Sequence, residues 1–263
     1  MSDVQLEIAD RIATVTLSRA PVNALTGDMF REIAEVFRSL GCSKDASVVV
    51  FTAPGERVFC AGVDLNDSAR RNARQITERE TVADLLDPGL APRDCFNAVM
   101  DCPLPVIGAI NGAAVGAGLV LAACCDLLVA STTARFSVPE IKVGVLGGGR
   151  HLQRLVGTHK TRRMFFTGEF VSAEELYRIG SIESVVPPAE LMPTAVALAR
   201  TIAAHSPIGL RLGKESLNRV EDLPLRDGYR IEQSYTAAVT RFNDSAEARH
   251  AQQEKRDPQW TWS

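Results

Sequence analysis

Hydrophobic and polar positions alternate from Val4 to Ala9 and again from Ile12 to Leu17, on either side of Asp10-Arg11. Period-two patterning around a short polar turn predicts a β-hairpin. Thr26 precedes MFREIAEVFRSL, whose apolar residues recur at helical spacing, and the pattern predicts an N-capped helix that stops at Gly41. Ser47–Ala53, Pro105–Ile110 and Asp126–Ser131 are near-continuous apolar runs, which predict strands buried on both faces. Between them lie a charged, helix-prone stretch from Leu65 to about Ala83, a second helical pattern over Arg93–Asp101 and an apolar helix over Gly118–Cys125. Strand alternating with helix predicts an α/β fold with parallel pairing.

Beyond Glu140 the pattern changes. Gly147-Gly148-Gly149 leads a helix from about Arg150, Thr158–Thr167 forms another, and Ser172 caps a third that ends at Gly180. A short strand is expected over Ile182–Val186. Amphipathic helices follow over Pro188–Ala204, Ile208–Val220, Leu225–Phe242 and Ser245–Arg256, with no second sheet expected among them. Their apolar stripes must be buried on the core or on a neighbouring subunit.

Composition narrows the classes without choosing one. The 263 residues are 46% hydrophobic and 23% charged, with a net charge of −3, so no basic face points to nucleic acid. The six cysteines form no C-x-x-C pair and the four histidines are scattered, so buried free thiols in a reducing cytoplasm are expected and no metal site. The opening MSDVQLEIAD does not read as a signal peptide, and the longest apolar run is broken by Asn111-Gly112, Gly116 and Gly118, which argues against a membrane span.

Two loops suggest chemistry. In ERVFCAGVDL, after the first buried strand, Ala61-Gly62 lets backbone approach a ligand, and Asp64 can cap the helix that opens near Leu65. After the second buried strand, Gly116-Ala117-Gly118 opens the apolar helix VGAGLVLAACCD. Helix starts carry unspent N–H groups, and neighbouring parallel strands deliver such loops to one sheet edge. The amides of Val63 and Ala117 could converge on a carbonyl oxygen that gains negative charge. Taken singly, each loop reads as a tight turn.

The run FCAGVDL (Phe59–Leu65), the stretch Pro105–Cys125 with its Asn111-Gly112 and Gly-x-Gly turns, FSVPEI (Phe136–Ile141) and VNAL (Val22–Leu25) together resemble the successive signatures of the crotonase superfamily, the enoyl-CoA hydratase/isomerase family. The resemblance covers nearly the whole chain. It implies a crotonase-like spiral of ββα units in residues 1–200, carrying the acyl-CoA site, and a helical trimerisation region in residues 201–263. It implies a homotrimer or dimer of trimers. It also implies a coenzyme A thioester as substrate with no other cofactor, and an enolate held by the amides of Val63 and Ala117. Substrate-binding positions under the resemblance are Val22, Ala24, Ala61, Gly62, Asp64, Leu65, Gly112, Gly116, Val120, Pro139, Gly148 and His151.

Hydratases of this family have two glutamates. Here one matching position holds Glu140 and the other holds Val120. Glu140 is therefore the expected proton carrier. A single carboxylate suits a 1,3-allylic proton shift, or ring-opening hydrolysis of a β-keto acyl-CoA, better than hydration. Glu140–Leu155 and the RRMFFT that follows resemble members that open alicyclic rings in bacterial steroid breakdown. A non-catalytic acyl-CoA-binding protein is the reading of another class. Glu80, Asp84 or Asp87 could supply a replacement acid, Arg19, Arg57 or Arg70 could meet the coenzyme A phosphates, and Asp64 and His151 each also read as structural.

Overall fold

A computed structural model of the chain describes residues 2–67 and 81–263. Strands β1 (Val4–Ala9) and β2 (Ile12–Leu17) form the expected hairpin, turning at Asp10 and Arg11, which both take positive φ. Helix α1 (Gly27–Cys42) follows, with the Thr26 hydroxyl accepting from the Met29 amide. Strands β3 (Val48–Thr52), β5 (Val106–Ile110), β7 (Leu127–Ser131) and β10 (Ser184–Val186) join the hairpin in one six-stranded sheet of order β1-β2-β3-β5-β7-β10, parallel beyond β2.

The helices beyond Pro188 add no strand, as expected, and a second sheet stands beside the first within the spiral. It consists of β4 (Val58–Cys60), β6 (Ala113–Val115), β8 (Arg135–Ser137) and β9 (Val171–Ser172), in that order. Each member has three residues or fewer, too few to show a period in sequence. The chain therefore winds as repeated units: a long strand in the first sheet, a short strand in the second, then helix. Gly112 makes one such sheet-to-sheet step possible, because a Cβ there would stand 2.2 Å from the Arg57 carbonyl carbon.

The helices of the spiral are α2 (Val82–Leu86), α3 (Leu90–Met100), α4 (Ala117–Cys124), α5 (Gly149–Val156), α6 (Thr158–Thr167) and α7 (Ala173–Arg178). Only Leu65–Asp67 and the end of the helix expected over Leu65–Ala83 fall within the described residues. Four further helices close the chain: α8 (Leu191–Ala203), α9 (Pro207–Val220), α10 (Leu225–Val239) and α11 (Asn243–Glu254). The large sheet is covered on both faces, as its uninterrupted apolar strands require. Leu191, Ala195, Ala199 and Ala203, four apart along α8, lie on the face formed by Ile12, Val48, Val50, Ile107, Ala109 and Val129. On the other face Phe51 packs edge-on to Phe37 and Phe59, at centroid separations of 5.3 and 5.5 Å.

Lys214 of α9 is 5% exposed. Its ammonium donates to the Leu104 carbonyl at 3.0 Å and pairs with Asp126 at 2.7 Å, while the same Asp126 oxygen accepts the Val106 amide at 2.7 Å. One charge pair thus fastens the helical region to the start of β5 and to the turn before β7. Removing the cation strands a half-sheltered carboxylate. Lys214→Met is expected to lower the unfolding free energy by about 2–3 kcal/mol, measured by urea denaturation. The Lys214→Met/Asp126→Asn pair should lose less than the sum of the single changes.

Candidate functional site

The site grows from the small sheet. Gly62 carries φ +93°, and Val63 after it sits between two bonds to Leu25: the Leu25 amide donates to the Gly62 carbonyl at 2.7 Å, and the Asp64 amide donates to the Leu25 carbonyl at 2.9 Å. This is a one-residue parallel bridge between Leu25 and Val63. In such a bridge the central residue's own N–H points to the opposite side, so the Val63 amide faces away from Leu25. Asn23, 6% exposed, donates to the Phe59 carbonyl at 3.0 Å, and the Ala61 amide donates to the Val22 carbonyl at 3.1 Å. Residues 22–25 thereby hold the loop from behind, with Val22 and Ala24 contributing half-buried backbone.

The second loop meets the first. Ala117 is the first residue of α4, so its N–H has no acceptor within the helix. A Cβ on Gly62 would stand 3.0 Å from the Val115 oxygen and 3.6 Å from the Ala117 nitrogen. Gly118 approaches as closely: a Cβ there would lie 2.4 Å from the Cys60 carbonyl oxygen. The Val63 and Ala117 backbones are therefore brought side by side. Cys60 is fully buried beneath them, its Sγ 3.4 Å from the Gly62 amide, and burial pushes its thiol up to about 12. A neutral thiol at this place is packing rather than nucleophile.

The register of the small sheet sets where Glu140 falls. Val115 pairs with Ser137, and the Gly116 amide donates to the Ser137 carbonyl at 2.9 Å. Three residues on, past Pro139, Glu140 opens a single tight helical turn that ends at Gly144 with φ +75°. Its Oε1 lies 2.6 Å from where a Cβ on Gly116 would be and 3.4 Å from the same point on Gly147. Its Oε2 is sealed from solvent and has no hydrogen-bond partner among the described residues. Burial holds the carboxyl above the ordinary glutamate range, against a smaller opposing pull from its own amide. Gly148, φ +70°, lies against Val120, whose Cγ2 would be 2.8 Å from a Cβ there. Val120 is 2% exposed, so the position to which the family resemblance assigns a second acid is filled by packed hydrocarbon.

Other positions fall into place differently. Asp64 is a cap: its Oδ1 accepts from the amides of Asn66 (2.9 Å) and Asp67 (3.2 Å), and its Oδ2 pairs with Arg19 at 2.9 Å. Desolvation is outweighed by these donors, and the carboxyl is held below its usual range. Arg19 also donates to the Ala24 carbonyl at 2.7 Å, so its guanidinium is committed within the fold. Gly112 stands at the far end of β6 from Gly116, about 13 Å away at ~3.3 Å per residue, packed against the Arg57 backbone. Leu65 is 73% exposed. Asp84 caps α2 and pairs with Arg31 at 3.1 Å, and Asp87 pairs with Arg93, so both candidate replacement acids are tied to cations. Glu80 and Arg70 lie outside the described residues. His151 is half-buried, its ring edge-on to Phe96 at 5.6 Å. Sequence reasoning did not single out Phe96, since an aromatic on an amphipathic helix carries no mark of what it faces. Among the described residues no group of three or more histidine, cysteine, aspartate or glutamate side chains stands together as a metal would need, and no helix is long and apolar enough to cross a membrane.

Two sheets wound through repeated ββα units, with a helical C-terminal region, define the crotonase-like fold. The structure matches an enoyl-CoA hydratase from Bacillus anthracis with a TM-score of 0.90 and 28% identity, each chain covered in full. The sequence model of the enoyl-CoA hydratase/isomerase family matches residues 7–262, and the chain belongs to that family. It is similar to a (7aS)-7a-methyl-1,5-dioxo-2,3,5,6,7,7a-hexahydro-1H-indene-carboxyl-CoA hydrolase of Rhodococcus jostii, at 37% identity over 86% of this chain and 84% of that one. A short-chain-enoyl-CoA hydratase of Clostridium acetobutylicum is 34% identical over 83% of this chain and 82% of its own.

The buried, unpartnered carboxylate makes a test independent of substrate. With its folded pKa raised, Glu140 favours the fold fully only below the unfolded value of 4.5, and that contribution is lost as pH rises through the folded value. Glu140→Gln is expected to melt higher than the parent at pH 7–8, with the difference closing below pH 4.5. Calorimetric scans across that range read it directly.

Proposed function

We propose that this chain transforms an acyl-coenzyme A thioester through an enolate, with the Val63 and Ala117 amides gripping the thioester oxygen and Glu140 as the proton carrier. The observation that carries the reading is the meeting of Gly62 and Ala117, with the Glu140 carboxylate against Gly116 between them. Each amide aimed at the developing oxyanion would contribute about 3 kcal/mol to the transition state. A carboxylate held above its usual pKa and short of hydrogen bonds is a better base than a solvated one. Coenzyme A enters as part of the substrate, and no further cofactor is assigned.

With Val120 in place of the second acid, the chemistry must run through one carboxylate. A 1,3-allylic shift meets that requirement: Glu140 removes a proton from one carbon and returns it two carbons along. Ring-opening hydrolysis meets it too, and is favoured by the 37% and 38% identity to two hydrolases named for a dioxo bicyclic acyl-CoA. There Glu140 would take a proton from water, whose hydroxyl attacks the ring ketone. The C–C bond breaks to leave a carboxyl group and the thioester enolate, and Glu140 returns the proton to that enolate carbon. Exposed apolar side chains beside the site, among them Val143 and Leu146 at 65% and 75%, suit burial in a homotrimer or dimer of trimers.

The tests are direct. Glu140→Gln should retain acyl-CoA binding within a few-fold and lose at least about 10²-fold in kcat. A panel of 2-enoyl-, 3-enoyl- and cyclic β-keto-acyl-CoAs, read by mass and product structure, separates the chemistries. No mass change with a moved double bond marks the allylic shift, and a carboxylic acid from a cleaved ring marks the hydrolase. Wild-type protein that binds these esters and turns none over is a binding protein, and the proposal falls. The acid limb of kcat/KM is expected above the ordinary glutamate value of 4.5, because the base must be ionised to work.

A further inference from the structure

Among the described residues His151 has no hydrogen-bond partner, and its ring lies edge-on to an aromatic side chain. Helix α5 begins at Gly149 with Gly148 as its N-cap, so His151 is the third helical residue, and that position lies next to the N-cap. Gly148 abuts Val120, and the preceding Gly147 abuts the Glu140 carboxylate. Arg150 and Arg154, one turn apart on α5, pair with Asp222 at 2.9 Å and Glu221 at 2.7 Å. Leu152 is fully buried. His151 lies edge-on to Phe96, which itself packs edge-on to Phe30 at 5.7 Å. Phe165 closes on Gly149, at 3.2 Å from a Cβ placed there. The imidazole thus lies against Phe96, on a helix whose start touches Val120 and Phe165, with Arg150 and Arg154 near enough to act on its charge.

Among the described residues the imidazole makes no hydrogen bond, and it is only half-buried, so a nitrogen can still accept or donate one. Burial, then Arg154 and Arg150, hold its pKa below the usual histidine value, so the ring is neutral at pH 7 and offers one donor and one acceptor.

We infer that His151 is a specificity residue that hydrogen-bonds an oxygen on the acyl group of the substrate, so that this cleft selects a keto- or hydroxy-bearing acyl chain over a plain hydrocarbon one. The inference rests on the acyl-CoA reading of the site and deepens it. The physical reason is an asymmetry. A pocket of hydrocarbon walls cannot strongly reject a substrate for a missing methylene. A polar group left unpaired by the wrong substrate, however, costs its full desolvation.

The test uses esters that the proposed chemistry does not consume. Binding of cyclohexanecarbonyl-CoA and of its 3-oxo and 4-oxo forms is measured by calorimetry on the wild-type protein, on His151→Leu and on His151→Asn. The wild type should prefer at least one ketone by about 10-fold. His151→Leu should abolish that preference while binding the parent ester equally or better, and His151→Asn should keep part of it. Melting temperatures confirm that each variant is folded. Equal affinity of the wild type for all three esters overturns the proposal, as does a preference that survives His151→Leu. If no coenzyme A ester binds at all, the acyl-CoA reading itself falls. Loss of turnover in Glu140→Gln with the ketone preference intact shows that the two claims stand separately.

Discussion

The site depends on backbone approaching backbone where no side chain could fit. Gly118 presses its α-carbon against the Cys60 carbonyl, Gly62 presses against the Val115 carbonyl, and Gly116 against the Glu140 carboxylate. A methyl group at the first would overlap its neighbour outright, and at the other two a positive φ adds backbone strain. The three contacts are one joint seen from three sides. They bring the start of α4 against the loop after β4, and they set the carboxylate beside both. Such contacts explain why a stretch as featureless as VGAGLVLAACCD can matter. It supplies no reactive side chain, only the absence of several.

The joint exists because the fold has a second sheet. In the large sheet alone, β3 and β5 would deliver their loops to one edge, which is a loose placement. The short strands β4, β6 and β8 fix the register residue by residue, pairing Val115 with Ser137 and seating Gly116 on the Ser137 carbonyl. Glu140 follows from that register, three residues on. Its unusual acidity follows in turn, since the same closeness that positions the carboxylate excludes the water and donors that would lower its pKa. The position of the carboxylate and its raised pKa here come from one cause.

How much of this could be read in the sequence follows from the range of each interaction. The buried strands, the hairpin and the Thr26 cap were legible because their signals are local and repeated. Gly62, Gly116 and Glu140 were legible as a set through their resemblance to known signatures, although the touching of Gly62 and Ala117 could only be surmised. Strands of three residues were invisible, because alternation needs more length than that. The partners of Arg19, Asp126 and Lys214 were hidden for another reason. A charge in sequence does not say which distant group it faces: Asp126 meets Lys214, far along the chain in α9, and Arg19 spends its donors on Asp64 and Ala24 rather than on a ligand. The Asp64 cap was legible, the arginine that completes it was not.

Val120 then acquires weight beyond its size. Two-glutamate hydration divides proton removal and delivery between two groups, and a chain that packs hydrocarbon at one of them has given up that division. Neighbours named as hydratases at 28% and 34% identity establish fold and family, but they cannot lend a carboxylate that this chain does not have. The function proposed here is chemistry in which a proton leaves and returns by the same hand, around an oxyanion held by main chain. On that reading the variable element is the far wall. With one acid and two amides assigned, the side chains around the start of α5, Val120, Phe96 and His151, are where the proposal places the choice of acyl group.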